Sequence, residues 1–203
     1  MTRQINEYLE ELYQEEEPDF IKIVRKSCPE QLQKMQLSIS EVKLLVALVR
    51  TVKPKRILEL GTLVGTSALW LAGALEVGGK LITVEKSYNH YLLAKSNLEK
   101  SPVADQIEIV HSDALIALES MKGEVFDVIF IDAKKSEYSL YLPLAKRILR
   151  QGGLLLFDNS LMFDKGPEIA ATIKSFNATV QKDCELYSVI IPTTAGLTYA
   201  IKL

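Results

Sequence analysis

The spacing of apolar positions changes character along the chain. In "SISEVKLLVALVRTVKP", Val42, Leu45, Val46 and Val49 recur at helical intervals. Ser38 followed three residues later by Glu41 is a capping-box start, and Pro54 is a stop. Two helices are predicted upstream, one over roughly Thr2 to Glu17 and halted by Pro18, and a short one ending near Ser27. Beyond Pro54 short, nearly continuous apolar runs alternate with amphipathic ones. "RILELG", "KLITVE", "QIEIVHSD", "VFDVIFID" and "GLLLFDN" read as five buried strands. "TSALWLAGAL", "NHYLLAKSNLEK", "ALIALESM", "SLYLPLAKRILR" and a segment from about Pro167 to Val180 read as the helices around them. "LYSVIIP", "TTAG" and "LTYAIKL" end the chain as strand, turn and strand. Such alternation predicts an α/β, doubly wound sheet of seven mostly parallel strands with an antiparallel C-terminal hairpin strand and helices on both faces. One domain is expected over 1–203, with extra N-terminal helices in 1–53 covering a site on the core of 54–203.

Composition narrows the class. Hydrophobic residues are 48% and charged residues 25% of 203, a globular balance. The net charge of −2 gives no global reason to expect nucleic acid. Cys28 and Cys184 stand apart without a CxxC motif, which fits free thiols in a reducing compartment. No apolar run reaches the ~20 residues of a membrane helix. The N-terminus is acidic and amphipathic rather than a signal peptide. A cytoplasmic location is expected.

Ligands of open parallel sheets bind beyond the carboxyl ends of the strands. Glu59, Glu85, Asp113, Asp132 and Asp158 all fall at those ends. "ELGTLVGTS" follows the first strand with glycines at Gly61 and Gly65, a G-x-x-x-G spacing rather than a dinucleotide fingerprint. That spacing counts against a nucleotide-binding oxidoreductase. Gly61 permits close approach of backbone and ligand, and Gly65 turns the chain into a helix. Ser67 then sits in the first helical turn, among free N–H groups. Glu85 is placed for ribose hydroxyls, and Asp113 with the Ala114 N–H for an adenine edge. An adenosine with an amino-acid tail, such as S-adenosylmethionine, would use all of these pieces.

Asp132 ends the fourth strand, and Asp158 and Asn159 end the fifth. Neighbouring strands lie about 4.8 Å apart, so the three side chains can converge if the strands are adjacent. Two carboxylates and an amide oxygen are hard donors suited to Mg²⁺, Mn²⁺ or Ca²⁺. His90 and His111, the two histidines, lie far from them in sequence, which argues against zinc.

With "ITVE", "HSDAL", "FDVIFIDAKKSEY", "GGLLLFDN" and "IPTTAGLTYAIK" in this order, the chain from Gln36 to Leu203 resembles the metal-dependent class I O-methyltransferases. These are the catechol and caffeoyl-CoA enzymes and their bacterial relatives. D-x-x-K-x-x-Y followed by D-N is the most specific part. The resemblance implies S-adenosylmethionine on Leu37, Glu59, Gly61, Ser67, Glu85, Asp113, Ala114 and Asp132, with Leu37 at the methionine end through its backbone. It implies a divalent cation, Mg²⁺ first, on Asp132, Asp158 and Asn159. It selects Lys135 over Lys134 as the catalytic base, with Asp132 beside it, and it suggests a homodimer. Val42 stands where many relatives have glycine, and the stretch after Asn159 is short. The implied acceptor is a small catechol-like phenol. A hydroxylated uridine in tRNA is the alternative acceptor, and a catalytically inactive cofactor-binding module the alternative of another class.

Overall fold

The computed structural model describes residues 3–203. Three helices precede the sheet: α1 (Arg3–Tyr13), α2 (Asp19–Ser27) and α3 (Ile39–Arg50). Short 3₁₀ turns at Gln14–Glu16 and Glu30–Met35 link them. The first helix is thus shorter than its sequence predicts, because "QEEE" after Tyr13 offers no apolar side chain to bury; the expected start at Thr2 lies outside the described residues. α3 begins as the capping box requires. The Glu41 N–H donates to the Ser38 hydroxyl and the Ser38 N–H to the Glu41 carboxylate.

The alternating part runs β1 (Arg56–Leu60), α4 (Thr66–Ala72), β2 (Lys80–Glu85), α5 (Tyr88–Glu99), β3 (Ile107–His111) and α6 (Ala114–Ser120). It continues with β4 (Phe126–Ile131), α7 (Tyr138–Ile148), β5 (Leu149–Asp158), α8 (Pro167–Lys182), β6 (Leu186–Ile191) and β7 (Leu197–Lys202). The strands form one seven-stranded sheet in the order β3-β2-β1-β4-β5-β7-β6. β1 to β5 pair in parallel, and β7 runs antiparallel between β5 and β6. The order reverses between β1 and β4, the place where such sheets open a crevice.

The boundary between α7 and β5 also differs from expectation. The helical pattern reads through Arg150, yet α7 stops at Ile148 and β5 starts at Leu149. Gly152 adopts φ +68, which a helix cannot hold, and Leu149 pairs with Phe126 before the register jumps to Val128 opposite Leu154.

Side chains alternate across the sheet. Leu58, Leu60, Ile129, Ile131, Leu155 and Phe157 face the core under α6, α7 and α8. Ile57, Val128, Phe130, Leu154 and Leu156 face the core under α2 to α5. With both faces covered, polar chemistry is left to the sheet's edges and strand ends. The five parallel strands direct their carboxyl ends to one edge, where β7 also begins, Leu197 opposite Asp158. No helix among the described residues is long and apolar enough to cross a membrane.

Candidate active site

The turn after β1 is fixed from three sides. Gly61 has φ +99, and a Cβ there would lie 2.3 Å from the carbonyl oxygen of Asp132. The close approach that needs this glycine is therefore to the end of β4. Gly65, at φ +96, starts α4 and places Ser67 in its first turn. Glu85 holds the loop between them: its Oε2 accepts from the N–H groups of Thr62 (3.2 Å) and Leu63 (2.9 Å), and its Oε1 from Ser87 N–H (2.8 Å). It stands at the end of β2, beside the turn, where the sequence places it.

Glu59 is fully buried behind this turn. Thr83 donates to its Oε2 at 2.6 Å, and the Thr62 and Thr83 hydroxyls lie 2.6 Å apart. Its Oε1 has no hydrogen-bond partner. Burial pushes its carboxyl up to about 7, opposed by the Ser67 and Thr83 hydroxyls and reinforced by the charges of Asp132 and Glu85. Such a group changes charge near neutrality.

Leu37 sits in a strap between the 3₁₀ turn and α3, its carbonyl held by Arg25 Nη1 at 2.7 Å. The neighbouring Gln36 accepts from the Thr66 hydroxyl on α4 at 2.8 Å. Leu37, Gly61, Thr66, Ser67 and Asp132 line one cavity. Four of the residues assigned to the cofactor from the sequence, Leu37, Gly61, Ser67 and Asp132, thus share one cavity. Asp113 ends the turn after β3 and caps α6, accepting from Leu115 N–H at 2.9 Å. Its other oxygen pairs with Lys86 at 2.8 Å, which holds its carboxyl below the usual range. With both oxygens engaged, the groups left there for a base edge belong to the backbone around Ala114.

At the next strand ends, Asp132 Oδ1 accepts from Lys135 Nζ at 2.7 Å. Asp158 is 5% exposed, and its Oδ2 accepts from Asn159 Nδ2 at 2.7 Å. Asn159 itself is left-handed, φ +60, a conformation asparagine tolerates better than most residues. Desolvation raises the Asp132 carboxyl against the opposing pull of Lys135. Desolvation and the Asp132 charge raise Asp158 well above the carboxylate range. Lys134 is turned away and bonds Glu137 at 2.6 Å. Adjacent lysines thus have different partners, and only Lys135 faces the carboxylates.

Several supporting residues have no role in the sequence reading. Tyr138, inside D-x-x-K-x-x-Y, is buried and donates to the Asp158 carbonyl at 2.9 Å, so it ties α7 to the end of β5. Thr62 and Thr83 carry the buried hydroxyl chain, and Arg25 supports the strap. Only Tyr138 had a signal, its fixed distance from Asp132; the others sit in ordinary local patterns.

The donor set suits a hard divalent cation. Two carboxylates repel each other in a partly buried site, and Lys135 supplies one positive charge against their two. The Asn159 amide nitrogen is engaged by Asp158, which leaves its oxygen free as a donor. Among the described residues no cluster of three or more His, Cys, Asp or Glu side chains could hold a metal ion, so a cation at these strand ends would need the asparagine oxygen as a third donor.

A family model described as O-methyltransferase matches residues 10–203. The chain belongs to that family. A catechol O-methyltransferase of Mycobacterium tuberculosis is 36% identical over 129 residues, which are 64% of this chain and 59% of the relative. The match thus spans less than two thirds of that relative's length. A caffeoyl-CoA O-methyltransferase of Populus kitakamiensis is 28% identical over 185 residues, 83% of this chain and 79% of the relative. Among solved structures, an O-methyltransferase from Bacillus cereus in complex with SAH superposes with a TM-score of 0.82 at 26% identity, covering 92% of each chain. The family match begins at residue 10, so the last turn of α1 and all of α2 and α3 fall within it rather than outside it.

Proposed function

We propose that the chain is a cytoplasmic S-adenosylmethionine-dependent O-methyltransferase that uses a divalent cation and methylates a small catechol-like phenol. The observation that carries this reading is one sheet edge bearing both halves of the reaction. Glu85 and the Gly61–Ser67 turn form the donor side. Asp132, Asp158, Asn159 and Lys135 form the acceptor side, and Asp132 lines the donor cavity as well.

The α-amino-acid end of the cofactor would lie along Leu37 and Ser67, the ribose on Glu85, and the base by Ala114. Asp132, Asp158 and Asn159 would hold the cation, which when bound lowers the pKa of a coordinated hydroxyl. Lys135 Nζ, beside Asp132, is the group placed to receive the acceptor's hydroxyl proton once the cation takes over the charge of Asp132. The acceptor oxygen then forms the O–CH₃ bond, the S–CH₃ bond breaks with its electrons going to sulfur, and S-adenosylhomocysteine leaves. Holding donor and acceptor in line is the part the rigid strand ends supply.

A small acceptor is favoured over tRNA by the state of the basic residues near the mouth. Lys86 is paired with Asp113, Lys134 with Glu137, Lys135 with Asp132 and Lys165 with Asp164. None is left to neutralise a phosphate without breaking a pair. A homodimer is inferred from the family resemblance, and the exposed Ile5, Tyr8 and Leu12 on α1 are consistent with it.

The test is a methyl-transfer assay with labelled cofactor, run side by side on catechols and on undermodified tRNA, with and without EDTA. Transfer to a catechol that EDTA abolishes and Mg²⁺ restores is expected. Metal-independent transfer would remove the cation site, and transfer to tRNA alone would replace the acceptor.

A further inference from the structure

Among the described residues, the cavity beside α4 has two charged lining residues, Arg25 from α2 and Asp132. Arg25 is fixed before any ligand arrives. Glu17, 4% exposed, receives its Nε at 3.0 Å and its Nη2 at 2.8 Å on the same oxygen. Nη1 reaches the Leu37 carbonyl at 2.7 Å. These bonds use three of the guanidinium's five N–H donors. One hydrogen on each terminal nitrogen has no acceptor among the described residues. A planar cation whose rotamer is already locked binds an anion with little further loss of entropy.

We propose that Arg25 binds the α-carboxylate of the cofactor's amino-acid end. The proposal rests on the S-adenosylmethionine reading above and adds to it a charged residue. Leu37 and Ser67, the groups already placed at that end, are neutral there. The ligand's amino-acid end is a zwitterion, and the cavity carries one cation and one anion to meet it. Glu17 is a positioning residue: it holds the guanidinium plane and compensates its charge while the cavity is empty of anion. Arg25 also bonds the strap carbonyl, so carboxylate binding and closure of the strap would be coupled through one side chain.

The test separates carboxylate recognition from strap support. Titration calorimetry compares S-adenosylhomocysteine with its decarboxylated amine analogue, which keeps nucleoside, thioether and ammonium. Arg25→Gln alone leaves Glu17 as an unpaired buried carboxylate, so the double variant Glu17→Gln/Arg25→Gln is used as well. In the double variant S-adenosylhomocysteine should bind roughly 10- to 100-fold more weakly, the range of a lost charge-assisted hydrogen bond. The amine analogue should change by less than about twofold, because it lacks the group that Arg25 contacts. Arg25→Lys should fall between, keeping the charge without the fork. Equal weakening of both ligands would make Arg25 a strap support only and overturn the proposal, as would unchanged S-adenosylhomocysteine binding. Wild-type protein that binds neither ligand would reject the cofactor reading itself.

Discussion

At the scale of single residues, chemistry depends on which oxygen or nitrogen has a partner. Lys134 and Lys135 are neighbours in sequence, yet the first bonds Glu137 and the second Asp132. Lys135→Met should lower kcat roughly 10²- to 10⁴-fold in the catechol assay, while Lys134→Met should stay within about tenfold. Equal losses would mean that spacing had picked the wrong lysine. Glu59 gives a pH prediction with a definite sign. Its carboxyl rises from the ordinary 4.5 to about 7 in the folded state. The folded protein therefore holds a proton there that the unfolded chain has released between those values. The stability contributed is complete below about pH 4.5 and is lost as pH rises through about 7. Urea unfolding of wild type against Glu59→Gln should show the wild type losing about 3 kcal/mol relative to the variant over that window. A constant difference across pH would place the Glu59 carboxyl in the normal range.

At the scale of elements, the site is a set of strand ends brought into register by short turns. Gly61 illustrates the dependence. A Cβ at that position meets the Asp132 carbonyl, and the residue's φ is positive. Gly61→Ala should cost at least about 2 kcal/mol in thermal or urea unfolding and weaken S-adenosylhomocysteine binding, because β4 must move. Most of this scale was legible in the sequence. Apolar runs with acids at their ends gave five strands and the side of the sheet on which a ligand would sit, since parallel strands must end together. Ser38 and Glu41 gave the start of α3 because a capping box is purely local. The boundary at Leu149 was not legible: "KRILR" suits a helix, and only pairing with Phe126 makes it strand. The cradle was half legible. Glu85 could be placed by its distance from the glycine turn, whereas its three backbone donors depend on how the turn closes. Arg25 was not legible at all, because its partners Glu17 and Leu37 meet it only after α2 folds across the strap.

At the scale of the whole molecule, the question is what the edge of the sheet presents to a substrate. The chain carries 26 acidic against 24 basic residues, and the lysines around the mouth are paired. A polyanion would have to displace Asp113, Glu137 and Asp164 from their lysines and would gain little charge in return. A neutral phenol displaces none of them. The two acceptors therefore predict opposite responses to salt. Binding of a nucleic acid through several phosphates falls by orders of magnitude between about 50 and 200 mM salt. Transfer to a small phenol should change by less than about threefold over the same range, since a neutral acceptor carries no net charge for salt to screen. The measurement is kcat/KM for catechol against KCl at fixed free Mg²⁺, with Lys134→Glu/Lys165→Glu alongside. That variant reverses charge at the rim without touching the proposed ligands or Lys135. Unchanged catechol turnover with a flat salt profile supports the small-acceptor reading. A steep profile that the double reversal abolishes would mean that the paired lysines open to a phosphate backbone, and the acceptor would then be sought among RNAs.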